Sequence, residues 1–329
     1  MNKVLLLIPA LLTYSIGNSQ INDQPVLLNS KFIDGGRFYL KIATTSGDTL
    51  LGYGDTGGGF TAVFPAAIDK AKLNSSVKTI SDGNMEHSYI KFGDLVSDKK
   101  IPPIEIPFSF PIKESIFLIP DNKMLEEGQN LLKTIPQDIF LGQFFFLGKA
   151  WTFDYPNEKI YVNTPVIKTK ANEKNIQYLG LKKDSAGNKL FGHPSIKIIV
   201  DGDTLDMLFD TGASFILTDS GKTKLNTEKE SLAGSFIARS VYDKWISRHP
   251  DWKIFSKSDM GTNIIEVPEI KIGQYIAGPV LFSVRPDEAW SEWMIKSMDK
   301  VVKGAVGGSA LKFFKVKADY NNELIEFTR

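Results

Sequence analysis

Between its polar turns the chain is written mostly in short runs rich in β-branched and aromatic residues, the pattern of strands. Arg37–Ile42 and Ser195–Val200 are two such runs. Each leads through a polar turn, Thr45-Ser46-Gly47-Asp48 or Asp201-Gly202-Asp203, into a further predicted strand. Helical spacing is confined to Asp121–Lys133, Ala238–Ser247 and Ala289–Val302. In the last of these, Trp290, Trp293, Ile295, Met298 and Val301 define a predicted buried face. The opening run, Val4–Leu12, follows Lys3 and is closed by Gly17-Asn18-Ser19, the layout of a secretory signal. It is shorter than the ~20 apolar residues a membrane span requires. Residues 1–19 are therefore expected to be a signal peptide, and the protein to be exported, periplasmic or extracellular.

The pattern occurs twice. Gly47-Asp48-Thr49-Leu50 precedes Asp55-Thr56-Gly57 by four residues, and Gly202-Asp203-Thr204-Leu205 precedes Asp210-Thr211-Gly212 by four. Downstream, Phe140-Leu141-Gly142 lies twelve residues before Asp154-Tyr155, and Ala305-Val306-Gly307 twelve before Asp319-Tyr320. A short polar turn and a strand follow each Asp-Tyr pair. From aspartate to glycine the gaps are 87 and 97 residues, so the copies diverge mainly in their middles. An internal repeat of this kind predicts a duplicated, mainly β fold of two similar lobes. Their expected limits are 31–163 and 164–329, after a short leader at 20–30, with the boundary near Thr164–Glu173.

Composition narrows the chemistry. The 329 residues include 39 Lys plus Arg against 38 Asp plus Glu, so no basic excess favours nucleic acid. With no cysteine, disulfides, thiolate metal sites and cysteine nucleophiles are excluded. His87, His193 and His249 are scattered, read as surface or hydrogen-bonded residues, and no metal or cofactor is expected. What is left is a pair of aspartates on glycine turns. Gly57 and Gly212 permit a tight backbone, and Thr56 and Thr211 supply hydroxyls that can lock the turns. If the repeat brings Asp55 and Asp210 together, repulsion makes them share one proton. The ionised member can then activate water while the protonated one donates to a carbonyl.

These motifs resemble the two-lobed, pepsin-like aspartic proteases, over residues from about Lys31 to Arg329. The resemblance implies catalytic Asp55 and Asp210, and glycines Gly142 and Gly307 packed behind the catalytic turns. It also implies a peptide substrate, no cofactor and a monomer, since both aspartates lie in one chain. The family's flap hairpin best matches Asp82–Phe92, with Gly83 and Tyr89. Leu208-Phe209 before Asp210 fits the family pattern, while Tyr53-Gly54 before Asp55 fits less well. Gly58 and Ala213 stand where pepsin-like enzymes carry a hydroxyl, and are closer to the retropepsin-like DTGA form. Loss of that donor should raise the carboxyl pKa values and move activity toward neutral pH. Pepsin-like precursors carry a long inhibitory pro-segment, whereas about eleven residues separate Ser19 from Lys31, so activation by removal of such a segment is not expected.

Other readings compete. The turns could be purely structural, or the cleft could bind a peptide or glycan without cleaving it. Gly52-Tyr53-Gly54-Asp55-Thr56-Gly57 formally matches a dinucleotide fingerprint, but no long amphipathic helix follows. Two carboxylates also serve glycoside hydrolysis, with nothing further here to support it.

Overall fold

A computed structural model describes residues 24–82, 85–104, 115–119, 135–166 and 173–329. The expected signal peptide, the predicted helix Asp121–Lys133, Gly83 and most of the predicted boundary lie outside the described residues. The chain is mainly β, with several sheets and a few short helices. Among the described residues no helix is long and apolar enough to cross a membrane.

The sequence repeat is matched by a repeat of strand connections. Thr49–Gly54 pairs antiparallel with Arg37–Ala43 and parallel with Ile139–Leu141. Asp203–Phe209 pairs antiparallel with Ser195–Val200 and parallel with Gly304–Val306. Around the first set, Ala62–Val63 joins Ile139–Leu141 antiparallel and Ser115–Leu118 parallel. Around the second, Ser235–Ala238 joins Gly304–Val306 and Val280–Arg285 in the same two senses. Because the central strands have neighbours on both edges and layers on both faces, their ends are buried continuously rather than alternately. Met207, Leu208 and Phe209 show this, all three being buried. At the matching place in the first copy Gly54 replaces a large residue. A Cβ there would lie 2.1 Å from the Phe38 ring. The weak match of Tyr53-Gly54 is thus the space taken by Phe38.

A six-stranded sheet joins the two copies. Its order is Val26–Leu28, Lys159–Val162, Ala150–Asp154, Lys315–Asp319, Leu324–Thr328 and Ile176–Tyr178. The middle pair has Ala150 opposite Asp319, Thr152 opposite Lys317 and Asp154 opposite Lys315, so equivalent strands meet about a local two-fold. Val26–Leu28 falls within the predicted leader, so the ordered fold begins before Lys31. The repeated aspartates of the Asp-Tyr motifs build turns. Asp154 Oδ1 accepts from Asn157 Nδ2 at 2.9 Å, and Asp319 Oδ2 accepts from Asn322 Nδ2 at 2.7 Å. Glu158 and Glu323 close these turns in the left-handed region, at φ 52° and 54°. Beneath the sheet an aromatic core links the copies, with Phe153 5.7 Å from both Phe38 and Phe209.

Helical expectations met mixed outcomes. Arg239–Arg248 is a helix, burying Val241, Tyr242 and Trp245. The predicted helix Ala289–Val302 is instead a π-helical turn, Ala289–Trp293, followed by a 3₁₀ turn, Met294–Lys296. The wider turn rotates later positions off the expected face. Trp290 and Met298 are buried, but Trp293 and Val301 are exposed.

Candidate active site

Two strands deliver the aspartates, and the parallel partner of each fixes its end. Asp55 N donates to Leu141 O and Asp210 N to Val306 O, both at 3.0 Å. Each carboxyl then accepts from its own turn. Gly57 N reaches Asp55 Oδ1 and Gly212 N reaches Asp210 Oδ1, both at 3.0 Å. The amides of Gly58 and Ala213 donate to the main-chain carbonyls of Asp55 (3.2 Å) and Asp210 (3.4 Å), close enough to the two carboxyls to lower their pKa values. Backbone donors therefore serve the carboxyls where Gly58 and Ala213 supply no hydroxyl.

The threonines do not lock their own turns. They lock each other's. Thr56 Oγ1 donates to Phe209 O (2.7 Å) and accepts from Thr211 N (3.0 Å). Thr211 Oγ1 donates to Gly54 O (3.0 Å) and accepts from Thr56 N (3.1 Å). Both side chains are wholly buried. These four reciprocal bonds set the two turns face to face, and the carboxyls of Asp55 and Asp210 hydrogen-bond directly.

The turn glycines have a different reason from the one expected. Neither Gly57 nor Gly212 has a positive φ. Each is bare because the opposite aspartate lies against it: an added Cβ would be 2.5 Å from Asp210 Cγ or 2.2 Å from Asp55 Cγ. Gly142 and Gly307 do pack behind the turns and their following loops. A Cβ on Gly142 would meet Gly59 O at 2.3 Å, and one on Gly307 would meet Gly234 O at 2.2 Å and Asp210 O at 2.9 Å.

Burial, then the neighbouring charge of Asp210 and the hydrogen bond to it, holds Asp55 well above the usual carboxylate range. Burial also raises Asp210, opposed by hydrogen bonds from Asp55 and from the amides of Gly212 and Ala213. Two such carboxyls side by side share one proton, and the titration belongs to the pair rather than to either residue.

Tyr89 sits in the hairpin that the resemblance suggested as a flap. It lies opposite Lys78 and beside Phe117, at the base of the hairpin Lys78–Asp82/Met85–Lys91, away from its tip. Gly83, at that tip, is outside the described residues.

Three residues at the site escaped the sequence reading. Tyr53 donates to Gly212 O (2.8 Å) and lies 3.0 Å from Ser214 Oγ, with burial raising its phenol pKa. Arg37 is buried and reaches Ser214 Oγ (3.4 Å) and Ser231 Oγ (3.0 Å), while pairing with Asp34 (2.5 Å). His193 is buried, with Nε2 2.9 Å from Gly58 O and Nδ1 2.8 Å from Ser297 Oγ. Burial lowers its pKa to about 4.

No protein-family model and no curated protein matches this chain. The resemblance to aspartic proteases therefore stands on the two motifs and the geometry around them.

Proposed function

We propose that the chain is an aspartic endopeptidase of the pepsin-like, two-lobed kind, hydrolysing peptide bonds between Asp55 and Asp210. The observation that carries the reading is the hydrogen bond between the two carboxyls, each fixed by its own turn amides and by the reciprocal threonine bonds. A structural pair of acids would gain nothing from this arrangement, because burying two adjacent carboxyls costs stability.

In the proposed cycle Asp210 takes a proton from water as the water oxygen bonds to the scissile carbonyl carbon. Asp55 gives its proton to the carbonyl oxygen, forming a neutral gem-diol. Asp210 then passes its proton to the amide nitrogen, and Asp55 recovers one from a gem-diol hydroxyl. The C–N bond breaks, a carboxylic acid and an amine leave, and the pair is again monoanionic. The lobes 31–163 and 164–329, a monomeric state, and export through removal of residues 1–19 belong to the same proposal.

The test is to incubate purified chain with a diverse peptide mixture across pH and identify new termini by mass spectrometry. Cleavage abolished by Asp210→Asn and inhibited by peptides with a central hydroxyl is the expected result. Cleavage that survives Asp210→Asn overturns the mechanism. Peptide binding with no cleavage at any pH would make the cleft a binding site instead.

A further inference from the structure

The registers of the two hairpins put Arg37 and His193 at one place in the repeat. Tyr39 pairs with Tyr53, and Ser195 with Leu208, in each case two residues before the aspartate. Arg37 and His193 stand two residues ahead of those partners, each preceded by a glycine. Both reach into the opposite copy. Gly36 packs on Gly308, and Gly192 N donates to Gln143 Oε1 at 2.7 Å. Arg37 then holds the segment after Asp210, and His193 the segment after Asp55.

We infer that His193 is a positioning residue for Asp55, bracing its turn as a neutral imidazole and releasing it in acid. This rests on the hydrolytic reading of the Asp55–Asp210 pair. Gly58 O can only accept, so Nε2 carries hydrogen and Nδ1 of the neutral ring accepts from Ser297. Gly58 is thereby held from both sides, its carbonyl by His193 and by Gln143 N (3.1 Å), its amide by the main-chain carbonyl of Asp55 (3.2 Å). A brace at one remove matters because misplacing a reacting group by about 1 Å can cost about 10²-fold in rate.

Protonation would not cost a partner. Ser297 could turn its hydroxyl to Met294 O, 3.2 Å away, and accept from Nδ1. The cost is a charge buried without a counter-ion. Charged groups on the surrounding segments are Asp55, then Lys296, Asp299 and Lys300 near Ser297, and Lys182 on the carbonyls of Ile295 and Lys296. The ring nitrogens are bonded to none of these, but to Gly58 and Ser297. Relief comes when the ring leaves for water, and the Gly58 carbonyl keeps only Gln143 N of its two donors.

His193→Gln tests this, since a Gln amide keeps a donor for Gly58 and an acceptor for Ser297 without titrating. It should retain most of the wild-type kcat at pH 7, while His193→Phe should lower kcat by about 10²-fold with little change in KM. Below pH 5 the wild-type kcat should fall more steeply than that of His193→Gln. An acid limb unchanged by His193→Gln, or full activity in a folded His193→Phe, overturns the inference. A second readout needs no turnover. The wild-type folding equilibrium should weaken by about 80-fold more than that of His193→Gln between pH 6.5 and 4. If no peptide is cleaved but this difference appears, the brace stands and the hydrolytic reading falls. Parallel stability curves sink the brace itself.

Discussion

The turns at Asp55 and Asp210 share nearly every inner contact and differ in what holds them from outside. Inside, the amides, glycines and threonines repeat bond for bond, because a shared proton needs two carboxyls in matched positions. Outside, the brace is a permanently charged arginine on one turn and a titratable histidine on the other. Arg37 has a counter-ion in Asp34. His193 has no such counter-ion and is buried neutral. Symmetry is kept in the bonds between the two turns and lost in the residue types that brace them from outside. A duplicated fold can in this way give its two halves different responses to acid.

The largest effect should come from breaking the pair. Asp55→Asn and Asp210→Asn should each lower kcat/KM by 10³-fold or more, with the double variant little worse, measured on a cleaved peptide. Stability should move the other way. Both carboxyls titrate higher in the fold than in the unfolded chain. Each therefore costs stability as pH rises above about 4, and either Asn variant should melt higher than wild type at pH 7.

Filling the space between the turns comes next. Gly57→Ala and Gly212→Ala place a methyl against the opposing carboxyl and should abolish activity, with about 1–3 kcal/mol lost in chemical denaturation. Gly58→Ser belongs here too, although it restores the hydroxyl typical of pepsin-like enzymes. Its Cβ would lie 2.3 Å from Phe140 Cζ, so the change should inactivate rather than shift the pH profile. An active Gly58→Ser enzyme would mean that Phe140 yields.

The two braces can be separated by pH. Arg37→Met leaves Asp34 short of a partner and should cost about 3 kcal/mol, by a similar amount at pH 7 and pH 5. For His193 the native pKa is about 4 against an ordinary 6.5, so its contribution is complete above pH 6.5 and declines as pH falls toward 4. That decline should reach about 3 kcal/mol in wild-type denaturation curves and be missing from His193→Gln. A smaller and even-handed loss, about 1–3 kcal/mol each, should follow Thr56→Val and Thr211→Val. Markedly unequal losses would show that the inner network is less symmetric than its geometry. Chelators should change nothing in any of these variants, because the proposed cycle moves protons between carboxyls alone.

Much of the inner site was legible because it is carried by identity at fixed spacing. The DTG turns, Gly142, Gly307 and the Asp-Tyr turns repeat in the residues themselves. The outer braces were not legible, for a physical reason. Arg37 and His193 differ in residue type, and the stretch from Arg37 to Asp55 is one residue longer than that from His193 to Asp210, so only the pairing register aligns them. Tyr53 was read as a strand position, and its hydroxyl partner, Gly212 O, lies 159 residues away. The paired Gly36-Arg37 and Gly192-His193 steps were the available signal. The predicted helix Ala289–Val302 failed differently, since apolar spacing does not distinguish an α turn from the wider π turn found at Ala289–Trp293.

The six-stranded sheet also sets an order of events during synthesis. Ala150–Asp154 is translated long before its partner Lys315–Asp319. Until that partner leaves the ribosome, the first copy carries an open strand edge of the kind that invites mispairing. Asp55 meanwhile has no Asp210 held against it. A chain cut short before Lys315 cannot complete the sheet that joins its halves.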